Sequence, residues 1–186
     1  MSKFLAISLI VVSLLAGIGI GYAVSPQYAA QAATSGHDTG LGDADRFVDL
    51  RYLNAMISHH GTAMKLAEQA RDNSKRDEII SLAEEIIKNE PAAIEELYGW
   101  KRQWYDDDSK APEKDVPNLG GYDEKFDLRF LNALIAHHKE GIKMANEISL
   151  KSSRLEILNN ADAVRSFLEG GVEMLDQWRS DWYTGD

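Results

Sequence analysis

From Asp43 to Tyr183 apolar residues return every three or four positions with polar residues between them, the period of an amphipathic helix. A first helix is predicted from a cap at Asp43 or Asp45 to about Ala70, with Leu53, Met56, Ile57, His60, Met64 and Ala67 on one face. Asp72-Asn73-Ser74 makes a turn. Ser74 or Asp77 then caps a second helix running to about Tyr105, whose apolar face carries Ile79, Leu82, Ala83, Ile86, Ile94, Leu97 and Trp104. Pro91 falls inside it and is expected to kink it or break it locally. Asp106 to Gly121, with its prolines, glycines and acids, is expected to be a loop. A third helix follows from about Asp123 to Leu150 and a fourth from about Ser153 to Tyr183. No strand alternation competes, so the pattern predicts an all-α, up-down-up-down four-helix bundle.

The second half repeats the first. Asn54-Ala55-Met56-Ile57-Ser58-His59-His60 returns 78 positions later as Asn132-Ala133-Leu134-Ile135-Ala136-His137-His138. The same offset relates Asp49-Leu50-Arg51 to Asp127-Leu128-Arg129, Arg76 to Arg154, Trp100 to Trp178, and Trp104-Tyr105 to Trp182-Tyr183. A constant offset means two copies of one helical hairpin, 43–105 and 123–183, related by a pseudo-twofold axis within one domain, 43–186.

Ahead of the bundle, Phe4 to Val24 is an uncharged apolar run of 21 residues behind Lys3. That is about the ~20 residues a helix needs to cross the hydrocarbon core, and longer than the ~7–15 of a signal-peptide core. Residues 1–24 are therefore read as a membrane anchor. Ala30-Gln31-Ala32 also offers a small-x-small motif to a signal peptidase, so a cleaved signal is the other outcome. Lys3 inside and Asp38, Asp43 and Asp45 outside orient the bundle to the extracytoplasmic side, periplasmic or extracellular; cleavage would make it secreted. Residues 25–42, rich in Ala, Gln, Ser, Gly and Thr, read as a flexible linker, with His37 an exposed residue in it.

Charge and cysteine narrow the partners. The net charge of −10 disfavours nucleic acid and favours cations. With no cysteine the chain has neither disulfides nor thiolate ligands.

Four of the five histidines sit in the two pairs. His60 is central on its apolar face, with Met56 and Met64 one turn before and after and His59 on the flank. In the second copy His138 takes the centre between Leu134 and Ile142, while Met144 lies on the flank under His137. Glu90 falls on the apolar face of the second helix, where the repeat has Leu168, at about the level of His60. A carboxylate there needs a partner or a cation. In the predicted topology the first and third helices run parallel and diagonally opposite, so His60, Glu90 and His138 are expected to form a polar cluster beside Met56 and Met64. Imidazole with thioether suits copper, as Cu(I) or Cu(II), better than zinc. A di-iron bundle would need Glu-x-x-His pairs, and none is present. The bland reading of the same residues is a hydrogen-bonded core histidine with methionine filler. Trp100, Trp104, Trp178 and Trp182 are most simply packed bundle ends.

These residues resemble the signature of the CopM-like family, also called domain of unknown function 305: Phe/Tyr-Leu-x-x-Met-Ile-x-His-His-x-x-Ala-x-x-Met-Ala, then a helix with Ile-Ile-x-x-Gln-x-x-Glu-Ile-x-x-Met-x-x-Trp. Tyr52 to Ala67 and Ile86 to Trp100 follow it, as do Phe130 to Ala145 and, more loosely, Val164 to Trp178. The resemblance implies a ferritin-like four-helix bundle, export, and in some members copper binding connected with copper tolerance. Carried over residue by residue it implies Met56, His59 and His60 as ligands in the first copy and His137, His138 and Met144 in the second. The chain departs from the signature at Leu66 and Leu134, where it has methionine. It departs again at Glu90, Ala93 and Leu97 and at Leu168, Gly171 and Leu175, where the signature has Gln, Glu and Met.

The function expected from the sequence is therefore a membrane-tethered, extracytoplasmic protein that sequesters copper or hands it over, with a copper-delivery protein as partner and no catalytic step. The alternative is a structural or interaction bundle with a buried His/Glu core and no metal. A bundle oxidoreductase is disfavoured, because no acid–base pair or substrate pocket can be named.

Overall fold

The computed structural model describes residues 40–183, so the apolar run Phe4 to Val24 and most of the linker lie outside it. Four helices make up the described fold: α1 (Val48–Asn73), α2 (Asp77–Tyr105), α3 (Phe126–Lys151) and α4 (Leu155–Trp182). This is the four-helix, all-α architecture that the periodicity predicts. Among the described residues no helix is long and apolar enough to cross a membrane.

The repeat extends further back than the linker boundary suggested. Leu41 is fully buried, and Arg51 Nε donates to its carbonyl at 2.5 Å. Its repeat mate Leu119 is buried in the same way under Arg129 Nε, at 2.7 Å. Gly42 and Gly120 follow with φ of +64° and +78°, a left-handed conformation that a side chain would strain. Asp45 and Asp123 then close the turn, accepting from the backbone N–H of Phe47 and of Lys125 at 2.9 Å. Both helices therefore begin a few residues later than a bare acidic cap implied. α2 runs through Pro91 as one helix, without the expected break.

The helix directions correct the up-down-up-down order. Arg154, at the start of α4, pairs with Asp49 at the start of α1 (3.3 Å) and stacks on Trp104 at the end of α2. At the other end Arg76, at the start of α2, pairs with Asp127 at the start of α3 (3.5 Å) and stacks on Trp182 at the end of α4. Thus α2 and α3 run parallel, as do α1 and α4, while α1 and α3 run antiparallel and pack directly on each other. The order is up-down-down-up. The long loop after α2 makes the difference by carrying the chain back along α1: Ser58 Oγ donates to Pro112 O at 2.5 Å and Gln69 Nε2 to Pro117 O at 3.1 Å. Ferritin-like bundles use such a crossover. The pseudo-twofold axis relating the hairpins consequently lies across the helices and not along them.

Two apolar cores fill the bundle, one towards each end. Repeat mates occupy matching places in them. Met56 and Met144 are fully buried in one, and their mates Leu134 and Leu66 are buried in the other. The ends are closed by the stacked pairs Trp100–Trp104 and Trp178–Trp182, each capped by its arginine. Because each arginine adds a ring contact to a partly exposed ion pair, Arg154→Ala is expected to lower stability by about 1–2 kcal/mol. Arg154→Lys should recover less than half of that, since the planar stack is lost. Chemical denaturation of the two variants checks both statements; equal stability of lysine and arginine would show that only charge matters there.

Candidate metal centre

The helical faces decide which histidine looks where. α1 approaches α3 through small residues: Ala63, Ala67 and Ala70 on one side and Gly141 and Ala145 on the other are all buried. Small side chains carry little weight in a hydrophobic pattern, so a face weighted by large apolar residues centres on His60 and misses the true contact. The contact face runs through Tyr52, Met56, Ala63 and Ala67, with His59 on one side of it and His60 on the other.

His59 and His137, expected on the flanks, therefore meet at the pseudo-twofold axis. Their rings stack with centroids 3.7 Å apart and planes within 9°. His60 and His138 lie outside them, at 6.3 Å from His59 and 6.2 Å from His137. Four imidazoles thus form one row across the waist of the bundle, between the two apolar cores. His60 Nδ1 donates to Glu90 Oε2 on α2, the pairing expected from the sequence. His138 has no such partner because its repeat position on α4 is Leu168; it rests instead against Gly171. The shared His60–Glu90–His138 cluster is thus met at His60 and Glu90, while His138 Nδ1 has no hydrogen-bond partner.

All four rings and Glu90 line one cavity of about 110 Å³. α1 and α3 contribute the four rings and Ala63 to its lining, and α2 and α4 contribute the rest. Glu85, Asn89 and Glu96 of α2 and Asn160, Val164 and Phe167 of α4 line the walls. None of Met56, Met64, Met144 and Met174 lines it. Met56 and Met144 do in one core what leucine does in the other, and Met64 is half-buried away from the cavity.

Burial sets the protonation of the row. His59, His137 and His138 are only 4, 6 and 8% exposed. Desolvation, reinforced by the neighbouring His137, holds His59 well below the usual imidazole range. Burial and then the charge of His138 push His137 down to about 3, and burial pushes His138 down to about 4. These rings are neutral at pH 7, each with one nitrogen lone pair available. Two buried ring nitrogens, His59 Nε2 and His138 Nδ1, have no hydrogen-bond partner. Pairing with Glu90 fixes the other tautomer at His60: Nδ1 carries the proton and Nε2 keeps its lone pair, the arrangement by which a carboxylate prepares a histidine for a metal. In donor type the residues suit a metal ion. Among the described residues, however, no three His, Asp or Glu side chains already converge on one point, because the stacked rings show each other their faces.

The sequence signalled the histidines and Glu90 but not the two glycines that make room for the rings. A Cβ on Gly141 would lie 2.6 Å from His59 Nε2, and one on Gly171 would lie 2.5 Å from His138 Cδ2. Their repeat mates are Ala63 and Ala93, so departure from the repeat was the available signal.

The fold and site together define a class, the crossover four-helix bundle with a paired-histidine waist. Residues 49–122, the first hairpin and most of the loop after it, match the family described as a domain of unknown function, DUF305. That match covers the first repeat, and the chain over most of its length is similar to CopM-like DUF305 proteins. It is similar to CopM in its Cu(I)-bound form, at 26% identity over 73% of this chain and 97% of that one, with a TM-score of 0.65. CopM in the apo form is similar at 27% identity over 73% and 98% of the two chains, again with a TM-score of 0.65. CopM has also been solved with Cu(II) and with silver. A secreted DUF305 protein from Streptomyces coelicolor shares the fold at 18% identity over 72% and 91%, with a TM-score of 0.64. No curated protein matches the chain.

Proposed function

We propose that this protein binds copper at the histidine waist and serves copper sequestration or handover, without catalysing a reaction. The observation that carries the reading is the two buried imidazole nitrogens without partners, His59 Nε2 and His138 Nδ1, on rings that line one cavity together with His60 and Glu90. The rival reading, a polar core that only holds the bundle together, would have every buried nitrogen paired, because an orphan costs about 1–3 kcal/mol. The similarity to CopM, which was solved with copper, supports copper as the ion. His59, His60, His137 and His138 are the ligand candidates, with Glu90 orienting His60. Met56, Met64 and Met144, expected as ligands from the sequence, are not needed for this role.

On the same reading the protein works outside the cytoplasm. Phe4 to Val24 tethers it to the membrane, and a copper-delivery protein is its partner. Fractionation with an antibody to the bundle tests the tether: the full chain should sediment with membranes and resist salt washing. Recovery in the soluble cytoplasmic fraction would overturn it.

The binding test is thermal melting of the full chain with and without copper. Saturating copper at about 100 times Kd is expected to add about 2.7 kcal/mol by mass action. His59→Ala/His60→Ala, or Glu90→Leu, should abolish that rise. Equal copper uptake by wild type and the double-alanine variant would leave the structural reading standing instead.

A further inference from the structure

We infer that the waist cavity selects a divalent ion, Cu(II), over the soft monovalent ions Cu(I) and Ag(I). The inference rests on the metal-binding reading above and goes beyond it in assigning charge and softness to the ion.

The first ground is the donor set. Soft thioether sulfur is what favours Cu(I) and Ag(I), whereas imidazole and carboxylate serve divalent ions. Among the described residues are four methionines, Met56, Met64, Met144 and Met174, and none of them lines the cavity. The twofold symmetry makes their role plain. Met56 stands where the other copy has Leu134, and Met144 where the other copy has Leu66, and all four side chains are at most 2% exposed. A thioether that a leucine replaces in the same packing position is filling space. Recruiting either sulfur would require pulling it out of an apolar core.

The second ground is charge. Three carboxylates line the cavity, Glu90 and the wall residues Glu85 and Glu96. Lys114, on the crossover loop, is the nearby opposing cation, and it is itself paired with Glu140 at 2.9 Å. The attraction of a negative site for an ion scales with the ion's charge, so a dication gains about twice what a monocation does. Glu90 contributes a second time through His60, since a histidine hydrogen-bonded to a carboxylate is the more basic ligand. A basic, charged N/O donor set favours a divalent ion twice over.

The test uses the full chain freed of metal by chelation. It is titrated separately with Cu(II), Zn(II) and Ag(I), the last an air-stable soft monovalent probe, with calorimetry and melting temperature as readouts. Cu(II) is expected to bind at least about tenfold more tightly than Ag(I), and more tightly than Zn(II) in keeping with the usual order of divalent affinities. Glu90→Gln keeps the shape and the hydrogen-bonding capacity while removing the charge. It should weaken Cu(II) by about 10–100-fold, the usual effect of losing a supporting carboxylate, and change Ag(I) by less than about threefold. Met56→Leu/Met144→Leu, which copies the packing of the partner repeat, should leave Cu(II) binding within about twofold. Ag(I) binding as tight as Cu(II), or Cu(II) binding lost in the leucine variant, would overturn this inference and leave copper binding itself intact. If none of the three ions binds, the metal-binding reading falls and this one with it.

Discussion

Lowering the pH from 7 to 5 in metal-free buffer is expected to remove several kcal/mol of stability from the bundle. In the unfolded chain each histidine titrates near 6.5. In the folded chain His137 and His138 are pushed down to about 3 and about 4, and His59 lies well below its usual range. Between those values the unfolded state binds more protons than the folded one, so stability rises with pH there. The full contribution is present above about pH 6.5; it is lost progressively as pH falls and levels off only below about pH 3–4. Each histidine contributes about 1.4 kcal/mol per pH unit in that window, so three contribute roughly 4 kcal/mol per unit. A domain has only about 5–15 kcal/mol in total, so unfolding near pH 5 is expected. The groups facing the row do not rescue it. Lys114 opposes any added positive charge, Glu90 is engaged with His60, and burial raises the wall carboxylate Glu96, which offsets only part of the slope. The lowered carboxylates Asp45, Asp107, Glu113 and Asp123 act at lower pH and are solvent-exposed ion pairs. Urea titrations from pH 7.5 to 4.5 check the slope, and His137→Gln should move the acid midpoint downward. A stability curve flat between pH 7 and 5 would contradict the buried, neutral state of these rings.

Much of this molecule was legible in the amino-acid sequence, and the unreadable part has a physical cause. The 3.6-residue period and the repeat offset yielded the helices, the hairpins and the pseudo-twofold axis. Glu90, a carboxylate on an apolar face, correctly announced its bond to His60. Direction was not legible, because a bundle's apolar stripes pack in either parallel or antiparallel arrangement and only the route of the long loop decides. That route is fixed by contacts of Ser58 and Gln69 with Pro112 and Pro117, which no periodicity encodes. The face of α1 was misjudged for a related reason. Weighting large apolar residues put His60 at the centre, whereas the close approach to α3 is made by alanines and a glycine. The row order followed from that one error: His59 and His137, read as flank residues, became the stacked centre. The methionines are ambiguous in the sequence because thioether is both a ligand and a filler, and their place relative to the cavity is not encoded in the period; in the fold Met56, Met64 and Met144 do not line it.

The glycines of the waist are expected to behave against their intrinsic propensity. In a helix interior, glycine to alanine is ordinarily stabilising by up to about 1 kcal/mol, since alanine restricts the unfolded chain and favours the helix. Gly170 should follow that rule, because a Cβ there meets nothing within 4 Å. Gly61 and Gly99 are equally open and should do the same. Gly171, one residue away, should do the opposite: its added methyl would lie 2.5 Å from His138 Cδ2 and 2.6 Å from Nε2. Gly141 is the most confined, since its Cβ would collide with Leu168 Cδ1 and sit 2.6 Å from His59 Nε2. Neither obstacle can move freely. Leu168 is 7% exposed and His59 4%, and His59 is held in its stack with His137. Overpacking of this kind typically costs about 1–3 kcal/mol, so Gly141→Ala should lie near the upper end and Gly171→Ala in the middle. Set against the gain at Gly170→Ala, the adjacent pair on α4 should differ by about 2–4 kcal/mol while sharing helix, neighbours and propensity. Chemical denaturation of the five alanine variants at pH 7.5 measures this directly. If Gly171→Ala proved as stable as Gly170→Ala, His138 would not be pressed against α4, and the row of imidazoles would have to be redrawn with that ring turned away.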